Sequence, residues 1–482
     1  MKLKTSIMAL FAICVLLFFS CDWLSEDTNN ENPPVTSNSD GIEIFPHGTL
    51  YTTPGKSQLG LGLCWLFADN AMLETHIKKT TGVNVSLSEN HARFGIFGSR
   101  FGISSNDFSE GGNTSMTATY WLRGELGGPV LTENDYPYAD NLNATTPNWK
   151  QNASRYGRVT SVQWLPNSRL EPMQDNTGYD IVFRNNIKEA ITKHGSVAGS
   201  LYSSTSRLNN SPDGISYYYN DPNSYNNTNH IIQILGWNDN YPVDNFTNSP
   251  PGKGAWYVKN STTGAKEHFH WVSYYQYIQT VRFVAGFNPT PLGNVYDYTP
   301  QTRLSQSWRP GGTTRYWANI FDCEDENAYL EEVIIRVHED IAYTIYVSTG
   351  EFTKDAEEDR ILLNNSFSNK VAELRVSESE QESKYPGFYT LKLSNSIQVG
   401  KKSIAIVVEG ISLNSDAVRF FYVRTQEEEN FTSNARESYT SNSAGVNKNW
   451  TDWHTNYGNF YIYGIITGSS GQSDRGRLVD RN

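Results

Sequence analysis

Cysteine is scarce. The 482 residues contain four, Cys14, Cys21, Cys64 and Cys323, too few and too scattered for a disulfide framework. Apolar runs are short, and the longest, Ile7 to Phe19, falls below the length a helix needs to span a bilayer. Basic residues form no stripe, and the net charge is −12, so a nucleic-acid partner is not expected. There is no internal repeat and no run of His or Cys at metal-ligand spacing, so neither a metal nor a cofactor is expected. What the chain has in abundance is aromatic residues, 13% of the total with 29 Tyr, together with many Asn and Ser. That mixture suits exposed strands and polar loops. The length exceeds what one hydrophobic core organises, which implies two domains.

Lys2 and Lys4 followed by the Ile7–Phe19 run, Ser20 and Cys21 read as an export signal over 1–21. Its ending resembles a bacterial lipoprotein signal, which implies that Cys21 carries lipid and anchors the chain to a membrane, at the outer membrane or cell surface. Residues 22–40, polar and containing Pro33-Pro34, read as a tether. From 41 to 288 helical and strand patterns mix. From 290 to 468 apolar residues alternate with period two, as in Val333, Ile335, Val337 and in Ile404, Ile406, Val408, which predicts an antiparallel sandwich built almost wholly of strand. A polar tail covers 469–482.

Once Cys14 leaves with the signal and Cys21 is lipidated, only Cys64 and Cys323 remain as thiols. Cys64 opens the clearest helix of the chain. Trp65, Ala68 and Met72 recur at helical spacing, Lys78 and Lys79 close the last turn, and Gly82 stops it. A thiol at a helix N-terminus meets unpaired N–H groups and the positive end of the dipole, which favour thiolate and make the sulfur nucleophilic. Further helices are expected over Thr114–Arg123 and Ile181–Lys193. Buried strands are expected at Val197–Tyr202, His230–Trp237 and Ala255–Lys259.

Gln58-x₅-Cys64-Trp65-x-Phe67 resembles the active-site helix of papain-like cysteine peptidases (the C1 family), with Gly62, Cys64 and Trp65 in register. Other segments follow in family order: Ser86-Leu-Ser-Glu89, Gly111-Gly112, Glu133-x-x-Tyr136-Pro-Tyr138, Asn229-His230-x₅-Gly236-Trp237, and Trp256-Tyr-Val-Lys-Asn260-Ser261. The resemblance implies an α+β fold in which a helical lobe packs on a strand-rich lobe. It also implies Cys64 as nucleophile, His230 as base, Asn260 as the group orienting that base, and Gln58 as an oxyanion donor with the Cys64 N–H. Gly111 and Gly112 would bind substrate backbone, and the partner would be a peptide or protein. The region 290–468, with Trp317-Ala-Asn319-Ile-Phe321 and Trp450, resembles the lectin-like domain that accompanies some bacterial papain-type peptidases. A glycan is therefore a further candidate partner, although Trp450 and Trp453 are expected to pack the sandwich rather than stack on sugars.

Two features depart from the family. Thr262-Thr263-Gly264 follows Ser261 where Trp-Gly is usual, so the indole that shields the His–Asn pair is absent unless Trp237 or Trp271 substitutes. Only about twenty residues lie between Cys21 and the domain, too few for a long inhibitory propeptide. Two other activities stay open on the same residues: a catalytically weak surface-binding protein or adhesin, and an acyl-transferring transpeptidase. Gly60-x-Gly62 lacks the third glycine of a dinucleotide loop, and His338-Glu339 lacks the second histidine of a zincin. Cys323, between Asp322 and Glu324, reads as a structural thiol.

Overall fold

The computed structural model describes residues 51–97, 111–122, 137–138, 156–166, 181–204, 208–211, 214–219, 227–262, 268–290, 294–298, 305–309, 311–352, 355–423, 437–441, 449–453 and 459–468. The signal, Cys21, the tether, the 469–482 tail and the Glu133–Tyr136 part of one motif lie outside them.

Five helices occur among the described residues: α1 (Cys64–Thr81), α2 (Glu89–Phe97), α3 (Thr114–Leu122), α4 (Ile181–His194) and α5 (Ala356–Asn365). Helix α1 begins and ends where its sequence says it should. Gly82 adopts φ 75° and donates its N–H to the Lys78 carbonyl, a left-handed cap that a side chain would strain. Of α1, every residue from Trp65 to Ile77 is buried, so it is a central helix and not an amphipathic surface one.

Strands β1 (Arg158–Trp164), β2 (Val197–Leu201), β3 (Leu208–Ser211), β4 (Gly214–Tyr217), β5 (His230–Asn238), β6 (Ala255–Lys259), β7 (Phe269–Ser273) and β8 (Gln279–Asn288) belong to the first half. The second half holds β9 (Asn294–Tyr296), β10 (Ser305–Trp308), β11 (Thr314–Cys323), β12 (Tyr329–Val337), β13 (Ile341–Gly350), β14 (Lys370–Val376) and β15 (Gly387–Gln398). It continues with β16 (Lys402–Ser412), β17 (Phe420–Val423), β18 (Ser438–Ser441), β19 (Thr451–Asp452), β20 (Asn459–Phe460) and β21 (Ile462–Thr467). The expected strands at 197, 230 and 255 are present almost to the residue.

The two halves are not beads on a string. One 12-stranded sheet runs in the order β3-β4-β7-β6-β5-β2-β8-β1-β15-β12-β21-β9, so β1 of the first half pairs with β8 on one side and with β15 of the second half on the other. Alternation along β12 explains how one strand serves both. Val333, Ile335 and Val337 point to the sandwich core with Ile345 and Ile406 from the facing six-stranded sheet, while Ile334 points to the core beneath α1 and α3. Sequence periodicity finds these strands but not their neighbours. Phe388, Tyr461 and Tyr463 from the second half also enter the first-half core.

The expectation that the second half is nearly all strand misses α5. Asp355 caps it by accepting from the N–H groups of Glu357 and Glu358. Leu362 and Leu363 of α5 cover the outer face of the six-stranded sheet against Ile320, Ala405 and Val407, which is why β11 and β16 are buried on both faces. Helix α2, also unforeseen, follows directly on the Ser86–Glu89 motif and is wholly buried. Trp317, Trp450 and Trp453 are all nearly inaccessible, so the indoles pack the sandwich as expected.

Candidate active site

Three elements converge on the thiol. Leu63 at the N-cap of α1 offers no side-chain acceptor, which leaves the first-turn N–H groups directed at the helix mouth. The N–H groups of Ile231 and Trp65 lie near enough to the Cys64 sulfur to favour its charged form. Ile231 follows His230 at the start of β5, so the strand that carries the imidazole abuts the thiol. His230 Nε2 lies 2.7 Å from Asn260 Oδ1, at the end of neighbouring β6, and the same oxygen accepts from the Ser261 N–H at 2.8 Å. With Nε2 held by Asn260, Nδ1 is the nitrogen left for the thiol side.

Burial dominates the electrostatics. It pushes the Cys64 thiol up, with the Ile231 and Trp65 N–H groups and the Arg282 charge acting in the opposite sense. It pushes the His230 imidazole down, against the Asn260 hydrogen bond. Burial thus opposes the charged form of each group, in the opposite sense to the N–H groups at the helix mouth.

The Gln58 amide is held from three sides. Ser261 Oγ donates to its Oε1 at 2.6 Å, its Nε2 donates to the Leu61 carbonyl at 2.6 Å, and its backbone N–H donates to the Ser261 carbonyl at 3.0 Å. An amide nitrogen carries two protons, so Nε2 can serve an oxyanion as well as the Leu61 carbonyl. The Tyr138 hydroxyl donates to the Gln58 carbonyl at 2.9 Å. The turn that follows is tight, with Leu59 at φ 51° and Gly60 at φ 76°. Ser261, quoted in the sequence only as part of a motif, is thus the residue that orients Gln58.

Gly111 is exposed with open space where a side chain would project. At Gly112 an added Cβ would fall 2.3 Å from Trp65 Cε2, so only glycine lets this segment lie against the indole beside Cys64. Neither proposed substitute for the missing indole stands over the His–Asn pair. Trp271 packs in a separate cluster with Tyr218, Tyr241 and Phe246, and Trp237 lies at the far end of β5, about 23 Å along the strand from His230 at the usual rise per residue. The Thr262 carbonyl instead lies 2.8 Å from His268 Nε2, and the Asn260 N–H donates to the His268 carbonyl at 2.7 Å.

Beneath the site lies a charged network that motif reading does not foresee. Lys56 Nζ donates to Glu74 (3.0 Å), to Glu89 (3.0 and 3.1 Å) and to the Leu87 carbonyl (2.7 Å). Glu74 also accepts from the Leu87 N–H and from Thr53, whose hydroxyl in turn accepts from Lys259 Nζ at 3.0 Å. Burial works against the Lys56 charge, but Glu74 and Glu89 outweigh it and hold its pKa above the ordinary lysine value. Burial pushes Lys259 down to about 8, with Glu74 opposing. A small pocket between this network and the catalytic groups is lined by Lys56, Ala71, Glu89, Lys259 and Asn260. A second buried pair, Asp69 of α1 with Arg282 of β8, ties α1 to the sheet. Charged residues inside a helix buried on all sides must be partnered, which is the one signal the sequence carried for these pairs.

Residues 47–276 match the family model described as Papain family cysteine protease. The chain is 22% identical to mouse cathepsin K over 222 residues, which are 46% of this chain and 55% of cathepsin K, so it spans about half the length of that curated relative. Two solved structures resemble it over nearly all its length. One is of the cysteine protease and lectin-like domains of Cwp84, a surface layer associated protein of Clostridium difficile, with TM-score 0.70, 24% identity, and 92% of this chain and 91% of that one covered. The other is of a cysteine-to-alanine variant of the clostridial cysteine protease Cwp84 after propeptide cleavage, with TM-score 0.69, 24% identity, and 88% and 98% covered. Residues 47–276 thus match a papain-family cysteine protease domain, and the chain as a whole shares the fold of those two structures, with a β-rich domain after that region.

Proposed function

We propose that this chain is a cysteine peptidase acting through Cys64, His230, Asn260 and Gln58. The observation that carries the reading is His230, at the start of β5, held by Asn260 at 2.7 Å, with the next N–H of that strand, Ile231, facing the Cys64 sulfur at the mouth of α1. His230 Nδ1 takes the Cys64 proton and the sulfur attacks the peptide carbonyl. The C–S bond forms and the carbonyl becomes an oxyanion, stabilised by Gln58 Nε2 and the Cys64 N–H. The imidazolium then protonates the departing amine as the C–N bond breaks, leaving a thioester. Water, deprotonated by His230, hydrolyses the thioester and restores the thiol. Gly111 and Gly112 form the wall along which a peptide backbone lies.

The substrate is a peptide or protein outside the cytoplasm. A lipid anchor at Cys21 and the fold likeness to a surface layer associated protein support action at the cell surface. Glycan binding by the second domain draws no support from Trp450 and Trp453, because both are buried.

A thiol-directed epoxide tests the reading. Labelling of Cys64 with loss of peptide hydrolysis, and complete loss of turnover in a folded Cys64→Ala variant, is the expected result. Cys323, buried beneath Tyr296, stays unlabelled. Retained turnover in Cys64→Ala overturns the proposal. A Cys64 that never reacts in the folded protein favours the non-catalytic binding role, and product formation with an added amine in place of water favours transpeptidation.

A further inference from the structure

Arg336 reaches from the second domain toward the substrate wall of the first. It sits on β12 between Ile335 and Val337, which face the sandwich core, so alternation sends its side chain the other way. There the guanidinium lies over four rings: Phe421 at 4.4 Å, Phe388 at 5.1 Å, Tyr461 at 5.2 Å and Trp164 at 5.3 Å from the centroids. Trp164 belongs to β1 and the other three to the second domain, so the cage itself spans the junction. From it Nη2 donates to Ser115 Oγ at 3.4 Å, in the first turn of α3.

Nothing in α3 attracts a cation to that place, since a helix N-terminus carries partial positive charge. The rings fix the position, and the hydroxyl is what the guanidinium meets there. The contact matters because of what lies next to Ser115. Asn113 Oδ1 accepts from the Ser115 N–H at 2.9 Å and the Asn113 carbonyl accepts from the Met116 N–H, which locks the turn leaving Gly111-Gly112. Gly112 in turn rests on Trp65, the neighbour of Cys64. The path from Arg336 to the nucleophile is thus Ser115, Asn113, Gly112, Trp65, each step a packed or hydrogen-bonded contact.

We propose that Arg336 is a positioning residue for peptide binding: held in its aromatic cage by the second domain, it sets the Gly111-Gly112 wall through the start of α3, so that the lectin-like domain helps shape the cleft. This rests on the peptidase reading for its functional consequence and on the cage for its geometry. The full-length protein with Arg336→Met, which keeps an unbranched apolar side chain in the cage, and with Arg336→Lys separates the two. Arg336→Met raises KM for peptide hydrolysis about tenfold with kcat little changed, because a misplaced wall weakens ground-state and transition-state binding alike. Arg336→Lys, which keeps the cation over the rings, recovers part of that loss. Alkylation of Cys64 by iodoacetamide, which needs no wall, proceeds at the wild-type rate in both. Amide hydrogen exchange at 113–116 quickens in Arg336→Met, and this arm requires no activity at all.

Unchanged exchange at 113–116 overturns the proposal. So does a loss of kcat with KM unchanged, or an equal fall in the alkylation rate, since either places the effect at the nucleophile or in the fold at large. A wild-type protein that hydrolyses no peptide overturns the peptidase reading instead, and the exchange arm still decides whether Arg336 holds the wall.

Discussion

The two halves of the 12-stranded sheet bury different chemistry. On the peptidase side the interior holds ions and amides: Lys56 with Glu74 and Glu89, Asp69 with Arg282, and Gln233 donating to Ala71, Thr75 and Ser196. On the sandwich side the core between the sheets is aliphatic and aromatic. Its buried polar groups are mostly neutral hydroxyls and amides, such as Ser438 with Asn319 and Asn459, although Asp359 and Glu437 are also buried against Tyr439 and Asn459. Buried ion pairs add little net stability compared with apolar groups of the same shape, yet breaking one is costly. The contrast teaches that burial in the first half fixes directions: α1 on the sheet, β6 under Asn260, Gln58 at the helix mouth. In the second half it supplies cohesion.

The sharpest way to break the comparison is to remove one carboxylate from the charged side. Glu74→Ala leaves Lys56 with Glu89 as its one carboxylate partner and strips the buried Thr53 hydroxyl and Leu87 N–H of their acceptor, and a loss of about 3 kcal/mol is expected from those unsatisfied donors. A denaturant midpoint close to wild type shows that the network is not a structural constraint. Next in size is Gln58→Ala. A fall of about 10²-fold in kcat with KM little changed is expected, because the donated hydrogen bond strengthens as the oxyanion forms. An unchanged kcat places Nε2 elsewhere during turnover.

The acid response sharpens the contrast further. His76 and His194 are buried in the first half, and burial pushes them down to about 4 and about 3. Unfolded histidine titrates near ~6.5, so below that pH the unfolded chain binds protons that the folded one refuses, and stability falls as pH drops from about 6.5 toward 4. Asp69 acts in reverse: burial raises it to about 6, so folding takes up its proton and gains stability over part of the same range. Two histidines against one aspartate leave a net loss on acidification. His194→Phe, which preserves stacking on Phe283, flattens the decline in thermal midpoint, and Asp69→Asn steepens it. A wild-type midpoint independent of pH between 6.5 and 4 contradicts the burial of these imidazoles. The smallest effect belongs to the apolar side. Ile406→Val, within the sandwich core, costs about 1 kcal/mol by urea unfolding, with no change in its pH dependence.

Much of the molecule is written locally. The helix that starts at Cys64 and stops at Gly82 follows from periodicity and a glycine that tolerates φ 75°, and the period-two runs mark β12, β13, β15 and β16 because side chains alternate on any strand. The resemblance of the segments around Gln58, Cys64, His230 and Asn260 to papain-like peptidases is what names the candidate site. Three things were decided only by tertiary structure. Pairing of β1 with β15 merges the halves into one sheet, and strand partners at such sequence separation leave no local trace. The ion pairs under the site join Lys56 to Glu74 of α1 and Glu89 of α2, and Asp69 of α1 to Arg282 of β8, contacts between segments far apart in sequence. The burial of Cys64 and His230 was the third: the sequence shows a thiol at a helix mouth, where N–H groups favour charge, whereas only the packed protein shows that water is excluded there, which works against the charge on both groups.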